Sequence, residues 1–179
     1  DPFYFDATIT TDQKDINFLI DKFVNIILNS KAEYLGNMNG NLTFNINNLK
    51  NSIINSGKIK LSIKEKKVKL EKSLFDISGI GKISSDFRYY VNKGDLIFAS
   101  ENIFEILDKK EFARKFQLNL NKIKNINKIY FDLEKNVDNG EISISNIHIN
   151  NIDLKNFSDE YYLIKNMLVF KKLIRNILS

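Results

Sequence analysis

The stretch 40–47, GNLTFNIN, alternates polar and apolar residues, so that Leu42, Phe44 and Ile46 fall on one side. Because successive side chains of a β-strand point to opposite faces of the sheet, this period of two predicts a half-buried strand. The same alternation recurs along the chain, in the runs Phe3–Ile9, Ile59–Ile63, Val68–Leu70, Phe87–Val91, Leu96–Phe98, Ile129–Leu133 and Ile142–Ile149. The sequence therefore predicts a mainly β (α+β) fold, built as a long antiparallel meander.

Two local features of these strands are also predicted. The last run changes phase across Ser145 and Asn146, which predicts a β-bulge at that point. Five of the seven glycines each precede a polar residue and then Leu or Ile. Because glycine reaches positive φ without a Cβ clash, these five are predicted to lie in turns that open strands: Gly40, Gly57, Gly81, Gly94 and Gly140.

Two longer segments have the 3.6-residue period of amphipathic helices. The first, at about 12–29, has Thr11 or Asp12 as its N-cap and an apolar stripe of Ile16, Leu19, Ile20, Phe23 and Ile27. The second, at about 158–178, has a stripe of Leu163, Met167, Phe170, Ile174 and Ile177. A short helix is predicted at about 108–116. We expect the two longer helices to flank the sheet in a single β-rich domain over residues 1–179.

Composition excludes several classes of protein. At 179 residues with 43% hydrophobic content the chain can bury a core, and the absence of cysteine excludes disulfides and thiolate metal sites. The net charge of +5 is part of a general compositional bias towards Ile, Asn and Lys. We therefore do not interpret this charge as evidence for a nucleic-acid partner. The chain begins Asp1-Pro2 without a signal-peptide pattern, which we interpret as a fragment of a longer protein whose membrane anchor lies upstream.

The residue types that carry catalysis or metal binding are sparse and scattered. His148 is the only histidine, and the sequence contains no phosphate-loop or metal-loop spacing. Carboxylate pairing in space remains open, because one sequence does not define it. We therefore predict a chain that is not an enzyme and that holds no metal and no cofactor.

The apolar face of the predicted sheet is the main candidate for function. Eight strands of about seven residues present roughly 900 Å² of face, and two helices of about 20 residues shield about 600 Å². The remainder is the size of a modest binding patch, although a closed core is the competing interpretation. The sequence predicts an open groove that contacts acyl chains, lined by Phe44, Ile46, Ile59, Leu61, Ile63, Leu70, Phe87, Tyr89, Leu96 and Phe98.

Two basic segments leave further alternatives open. The hairpin 64–72 carries five lysines against two glutamates, which favours a solvated outer strand face over contact with anionic lipid headgroups. The terminal helix carries Lys165, Lys171, Lys172 and Arg175, and is expected to dock on the sheet as a cap for the groove, with membrane contact as the alternative.

The order of motifs over about 40–149 resembles the C-terminal region of the AsmA-like family of Gram-negative envelope proteins. The resemblance lies in 40–49 (GNLTFNINNL), Gly57-Lys58-Ile59, Gly81-Lys82-Ile83, 94–98 (GDLIF), the insertion 108–117 (DKKEFARKFQ), 126–133 (INKIYFDL) and 142–147 (ISISNI). It implies an inner-membrane anchor, a periplasmic β-structure and an apolar trough for phospholipid. This chain departs from that plan by lacking the anchor. The alternative function is a structural or assembly module that docks a protein partner in outer-membrane biogenesis.

Overall fold

The computed structural model describes residues 3–12, 38–48, 54–64, 67–150, 152–153, 162–163 and 167–178. Its contacts group into two compact units, Asp1–Ser78 (unit 1) and Gly79–Ser179 (unit 2). The sequence predicted a single domain over residues 1–179, and this division into compact units does not test that prediction.

Unit 1 contains four long strands, which are β1 (Phe3–Asp12), β2 (Met38–Asn47), β3 (Ile54–Lys64) and β4 (Lys67–Ile77). They lie in the order β1-β2-β3-β4. The pairs β2–β3 and β3–β4 are antiparallel, as predicted, but β1 lies parallel to β2. The prediction of an antiparallel meander was therefore wrong for β1, because a parallel neighbour needs a crossover connection that alternation alone does not reveal. The first predicted helix, about 12–29, lies outside the described residues except for Asp12, which ends β1.

Two predicted turn glycines lie inside strands of unit 1 instead. Gly40 is in β2 and Gly57 is in β3, and neither is among the residues with positive φ. An aromatic ring covers each one, because a Cβ on Gly57 would lie 2.6 Å from the ring of Phe75 and a Cβ on Gly40 would lie 2.7 Å from the ring of Phe5. Glycine is thus required at these positions for close packing within the sheet rather than for a turn.

Unit 2 contains six described strands, which bear the main core, and three described helices. The strands are β5 (Gly81–Asn92), β6 (Asp95–Ile106), β7 (Lys128–Asn136), β8 (Ile142–Ile149), β9 (Ile152–Asp153) and β10 (Tyr162–Leu163), of which the last two are only two residues long. The order is β5-β6-β7-β8-β10, with β9 also paired to β8, and every pair is antiparallel. The β5–β6 hairpin turns at Lys93 and Gly94, both with positive φ, which is the geometry that matches the twist of a two-residue hairpin.

The predicted bulge in β8 is confirmed. Tyr130 pairs with His148 and Asp132 with Ser145, so β8 uses one residue more than β7 over this interval. Asn146 adopts φ of 51° there, a left-handed conformation that asparagine tolerates better than most residues. The bulge allows the apolar residues on both sides of it to keep to one face.

The helices are α1 (Lys109–Phe116), α2 (Leu120–Ile123) and α3 (Met167–Leu178). The short helix α1 matches its prediction; the Asp108 side chain caps it by accepting from the Glu111 N–H at 2.9 Å. The terminal helix starts later than predicted, because Tyr162 and Leu163 pair with β8 as a short strand. The spacing of apolar residues over so short a segment does not distinguish the helical period of 3.6 residues from the strand period of two.

The described part of the chain is mainly β, with both parallel and antiparallel strand pairs and three short helices. Among the described strands of each unit, the first does not pair with the last, so the sheet does not close on itself. The curled groove stays a prediction.

Candidate functional site

In unit 1 the register brings six of the predicted groove residues onto one face. Leu61 lies opposite Leu70, and Phe44 lies opposite Ile59. Residues two positions apart share a face, so Ile46 and Ile63 join them. We call this set, with Leu42, the unit 1 apolar face.

Burial separates the six residues into two groups. Leu61 is only 1% exposed, and Ile46 and Leu70 are equally part of the core. Phe44, Ile59 and Ile63 are half-buried. The accessible part of the unit 1 apolar face is therefore carried by this second group.

The opposite face of the same sheet is mainly polar, although Leu74 lies opposite Lys58 on it and is 52% exposed. Its polar side chains alternate with those of the unit 1 apolar face along each strand, and they are Asn41, Thr43, Asn45, Lys58, Lys60, Ser62, Lys69 and Glu71. The lysines on it are exposed, as expected for a solvated strand face. The sheet of unit 1 is thus strongly amphipathic.

The sequence analysis missed two further residues on this side of the sheet, Phe75 and Ile77, which we add to the unit 1 apolar face. Lys60 pairs with Glu71 but Lys58 pairs with Leu74, so β4 contains an extra residue that shifts its phase. Ser73 lies in this interval, fully buried, and its hydroxyl donates to the Glu71 carbonyl at 3.1 Å. The signal was available as a change of phase between Leu70 and Phe75.

In unit 2 the four remaining predicted residues also share one face, near the tip of the β5–β6 hairpin. Tyr89 lies opposite Phe98 with ring centroids 6.2 Å apart, and Val91 lies opposite Leu96. Leu96 is buried and Phe98 is half-buried, whereas Tyr89 is 40% exposed and Val91 70% exposed. We call Phe87, Tyr89, Val91, Leu96 and Phe98 the hairpin patch.

A buried polar cluster lies next to the hairpin patch on the same face. The Ser85 hydroxyl donates to Asn102 Oδ1 at 2.6 Å, and Asn102 Nδ2 lies 2.9 Å from Ser100 Oγ and 2.9 Å from the Ser100 carbonyl. Asn102 Nδ2 also donates to the Phe131 carbonyl at 3.2 Å. All three side chains are buried. Because every polar atom of the Asn102 amide has a partner, the cluster is a satisfied structural network.

Beyond the polar cluster the face is covered by helices. Phe112 and Phe116 are four residues apart on α1, with ring centroids 4.8 Å apart. Phe112 meets Phe104 of β6 edge to face at 5.7 Å, and Phe116 meets Phe170 of α3 at 6.1 Å. We call these rings the aromatic core; the other side chains around it are Ile129, Phe131, Ile144, Ile147, Leu173 and Ile174.

The space enclosed by the aromatic core is small. The centre of a water-sized sphere can reach only about 10 Å³ of this space. A cavity needs about that much room to hold a single water molecule. A hydrocarbon tail does not fit there, so this part of the face is a packed core. α3 contributes Phe170, Leu173 and Ile174 to it.

The scattered carboxylates take part mainly in structural contacts. Glu101 forms an exposed ion pair with Arg88 at 2.9 Å, and the Tyr90 hydroxyl donates to Glu134 at 2.7 Å. Arg114 donates to Glu111 on α1 and thereby lowers the pKa of that carboxyl. His148 is half-buried opposite Tyr130. Among the described residues, no group of three or more His, Asp or Glu side chains could hold a metal ion.

Compared with known proteins, the chain matches no family model, no curated protein and no solved structure. Of the helices in the described part of the chain, none has the length and apolarity to span a bilayer.

Proposed function

We propose that the chain is a non-catalytic lipid-handling module of a periplasmic AsmA-like protein, in which an apolar sheet face contacts phospholipid acyl chains during transport or envelope maintenance. In this proposal the membrane is reached through an inner-membrane anchor upstream. The observation that carries it is the predominance of apolar side chains on one face of the unit 1 sheet and of polar side chains on the other, together with an accessible hairpin patch in unit 2.

The burial of individual residues indicates where an acyl chain would lie. Leu61, Ile46 and Leu70 are already covered and would form the floor of the surface. The half-buried side chains Phe44, Ile59 and Ile63 still have apolar area to lose. So do the exposed side chains Tyr89 and Val91 of the hairpin patch. An acyl chain would gain about 0.8 kcal/mol for each methylene group that it buries there, without any polar chemistry.

The test uses Phe98, which is half-buried and in ring contact with Tyr89. Phe98→Asp places a charge in the hairpin patch, whereas Phe98→Leu keeps it apolar. The full chain and both variants are purified from a bacterial host, and lipid is quantified by native mass spectrometry and by extraction. We expect lipid with the parent chain and Phe98→Leu, and at least a tenfold loss with Phe98→Asp.

Circular dichroism establishes that both variants fold, which separates lost binding from lost structure. A second charged variant, Ile59→Asp, probes the unit 1 apolar face in the same way. Parent protein that carries no lipid, under conditions in which it is folded, would contradict the proposal.

The alternative is an assembly module that docks an envelope protein through the same surface. Tyrosine is enriched at protein interfaces, and Tyr89 is exposed in the hairpin patch. In that case Phe98→Asp leaves the lipid content unchanged and abolishes crosslinking of the chain to a protein partner in cell envelopes. Phe98→Leu retains the crosslink and serves as the matched control.

A further inference from the structure

The outer edge of β1 is an unpaired hydrogen-bonding edge within the described part of the chain. There, β2 is the only strand that pairs with β1, and the pairing covers all ten residues of β1 without a register shift. Phe3 is 64% exposed and Ile9 is 46% exposed, although both lie on the apolar side of the strand. An edge of this kind has backbone donors and acceptors available for a further strand.

β1 also has few of the features that normally prevent a strand edge from pairing. Residues 3–12, FYFDATITTD, contain no lysine, arginine or proline, β1 has no bulge, and its charged residues are Asp6 and Asp12. Aromatic residues, Ile and Thr make up most of it, and these residue types favour strands. Natural edge strands are usually interrupted by lysine, proline or a bulge, so an unprotected edge ten residues long is suited to pairing.

We propose that β1 pairs with β1 of a second copy of the chain, antiparallel across a two-fold axis at Ala7. In this register Phe5 lies opposite Ile9 of the other copy, and Asp6 lies opposite Thr8. Residues of the apolar side meet only residues of the apolar side, so the pairing extends the unit 1 apolar face into the second copy.

Neighbouring registers are less favourable for reasons visible in the same ten residues. Moving the axis to Asp6 places two aspartates directly opposite each other, which is destabilising. Moving it to Thr8 replaces the two Phe5–Ile9 pairs by Phe5–Thr11 and Ala7–Ile9 pairs. A shift by a single residue brings the apolar side of one copy against the polar side of the other.

The size of the contact sets the expected affinity. Nine paired residues span about 30 Å, and a contact of this width falls in the class of weak interfaces below about 1,200 Å². We therefore expect a dissociation constant in the micromolar range. Light scattering on the full chain should show its mass rise from 20.8 kDa towards twice that value between about 1 and 300 μM.

Disulfide trapping tests the register, and the absence of native cysteine makes single-cysteine variants unambiguous. Ala7→Cys places two thiols directly opposite each other, at a Cα separation of about 5 Å that a disulfide spans. Thr10→Cys is the matched control, because in this register the two thiols lie about 20 Å apart. We expect Ala7→Cys to form covalent dimers under mild oxidation at least tenfold faster than Thr10→Cys.

A charge pair tests the same contact without oxidation. Thr8 is exposed and lies opposite Asp6 of the other copy in this register. Thr8→Glu should weaken the dimer and Thr8→Lys should strengthen it, each by about 2- to 30-fold over the two symmetric pairs. Circular dichroism shows whether each variant remains folded.

Three results would overturn the proposal: a mass that stays at one copy throughout the concentration range, equal crosslinking at positions 7 and 10, or equal effects of the two Thr8 substitutions. Capture of a strand from a different protein would leave Ala7→Cys without homodimers and would therefore also overturn it. The dimer does not depend on lipid, so lipid-free protein that dimerises would support it while the proposed function fails.

Discussion

The apolar faces of the two units differ in how they are interrupted. In unit 2 the cluster of Ser85, Ser100 and Asn102 separates the aromatic core from the accessible hairpin patch. In unit 1 the rows Leu42–Leu61–Leu70 and Phe44–Ile59 follow each other, and Ser73 is a buried polar side chain beside them in β4. Ser73 interrupts this face with a single hydroxyl that bonds within its own strand, whereas in unit 2 a network of three side chains lies between a sealed core and an open patch.

In unit 2 the helices and the polar cluster together determine which part of the apolar sheet face is buried. α1 and α3 cover only the part of the unit 2 face that lies on one side of the polar cluster. A buried, fully satisfied polar network stabilises one arrangement of neighbours, because any shift leaves its groups without partners. We infer that the cluster fixes where the core of unit 2 ends and the hairpin patch begins.

The largest expected effect comes from removing the centre of the aromatic core. Phe112 is 0% exposed and contacts both Phe104 and Phe116. Phe112→Ala should lower the free energy of unfolding by about 3–5 kcal/mol, since it removes buried area and leaves a cavity. Urea denaturation measures the loss, and hydrogen exchange locates it in β6, β7 and β8.

The matched control is Leu107→Ala, an exposed apolar residue of the same unit, which should change stability by less than about 0.5 kcal/mol. Equal losses of protection in β2 and β3 would show that the two units unfold together and would weaken the comparison between them.

The polar cluster gives the next largest effect. Asn102→Leu keeps the branched shape of the side chain but leaves the Ser85 hydroxyl and the Phe131 carbonyl without their present partner. The cost should be about 1–3 kcal/mol by urea denaturation, which is the usual penalty for a buried polar group left unsatisfied. Adding Ser85→Ala and Ser100→Ala should restore part of this loss, because fewer buried polar groups then lack a partner.

The triple variant also joins the hairpin patch to the aromatic core in one apolar surface. If the cluster limits the patch, this variant should bind more of a fluorescent fatty-acid probe than the parent chain. A triple variant that is less stable than Asn102→Leu alone would show that the polar network is not what separates the two regions.

Much of the sheet could be predicted from the sequence because its signal is local. Alternation located the strands and placed Phe44 with Ile59, and Tyr89 with Phe98, on common faces. A change of phase at Ser145 and Asn146 was enough to locate the β8 bulge. Each of these inferences needs only the period of two and the residue types that interrupt it.

Other features depend on contacts between residues distant in sequence. The alternation in β1 is the same for a parallel or an antiparallel neighbour, so its direction could not be read. Gly57 is in its strand because Phe75 lies across it, which no nearby residue indicates. The polar cluster did leave a signal, since Ser100 and Asn102 are in phase with Phe98 and Phe104 at positions that should face the apolar side.

The smallest expected effect lies on the exposed side of α1, opposite the aromatic core. Arg114 donates two hydrogen bonds to Glu111, at 2.8 and 2.6 Å, and this hydrogen bonding is the main reason that the pKa of Glu111 is lowered. A lowered pKa in the folded state stabilises the fold above the ordinary carboxyl pKa, and that contribution is lost as the pH falls through the lowered value. Arg114→Gln should therefore raise the pKa of Glu111 towards its ordinary value, with part of the lowering retained because Lys115 lies 3.6 Å away.

Carboxyl ¹³C titration by NMR measures this shift. The control is Arg88→Gln, which breaks the separate pair with Glu101 and should leave the Glu111 titration unchanged. An unaltered pKa of Glu111 in Arg114→Gln would show that solvent screens this pair completely, in contrast to the large effect expected for Phe112 on the buried side of the same helix.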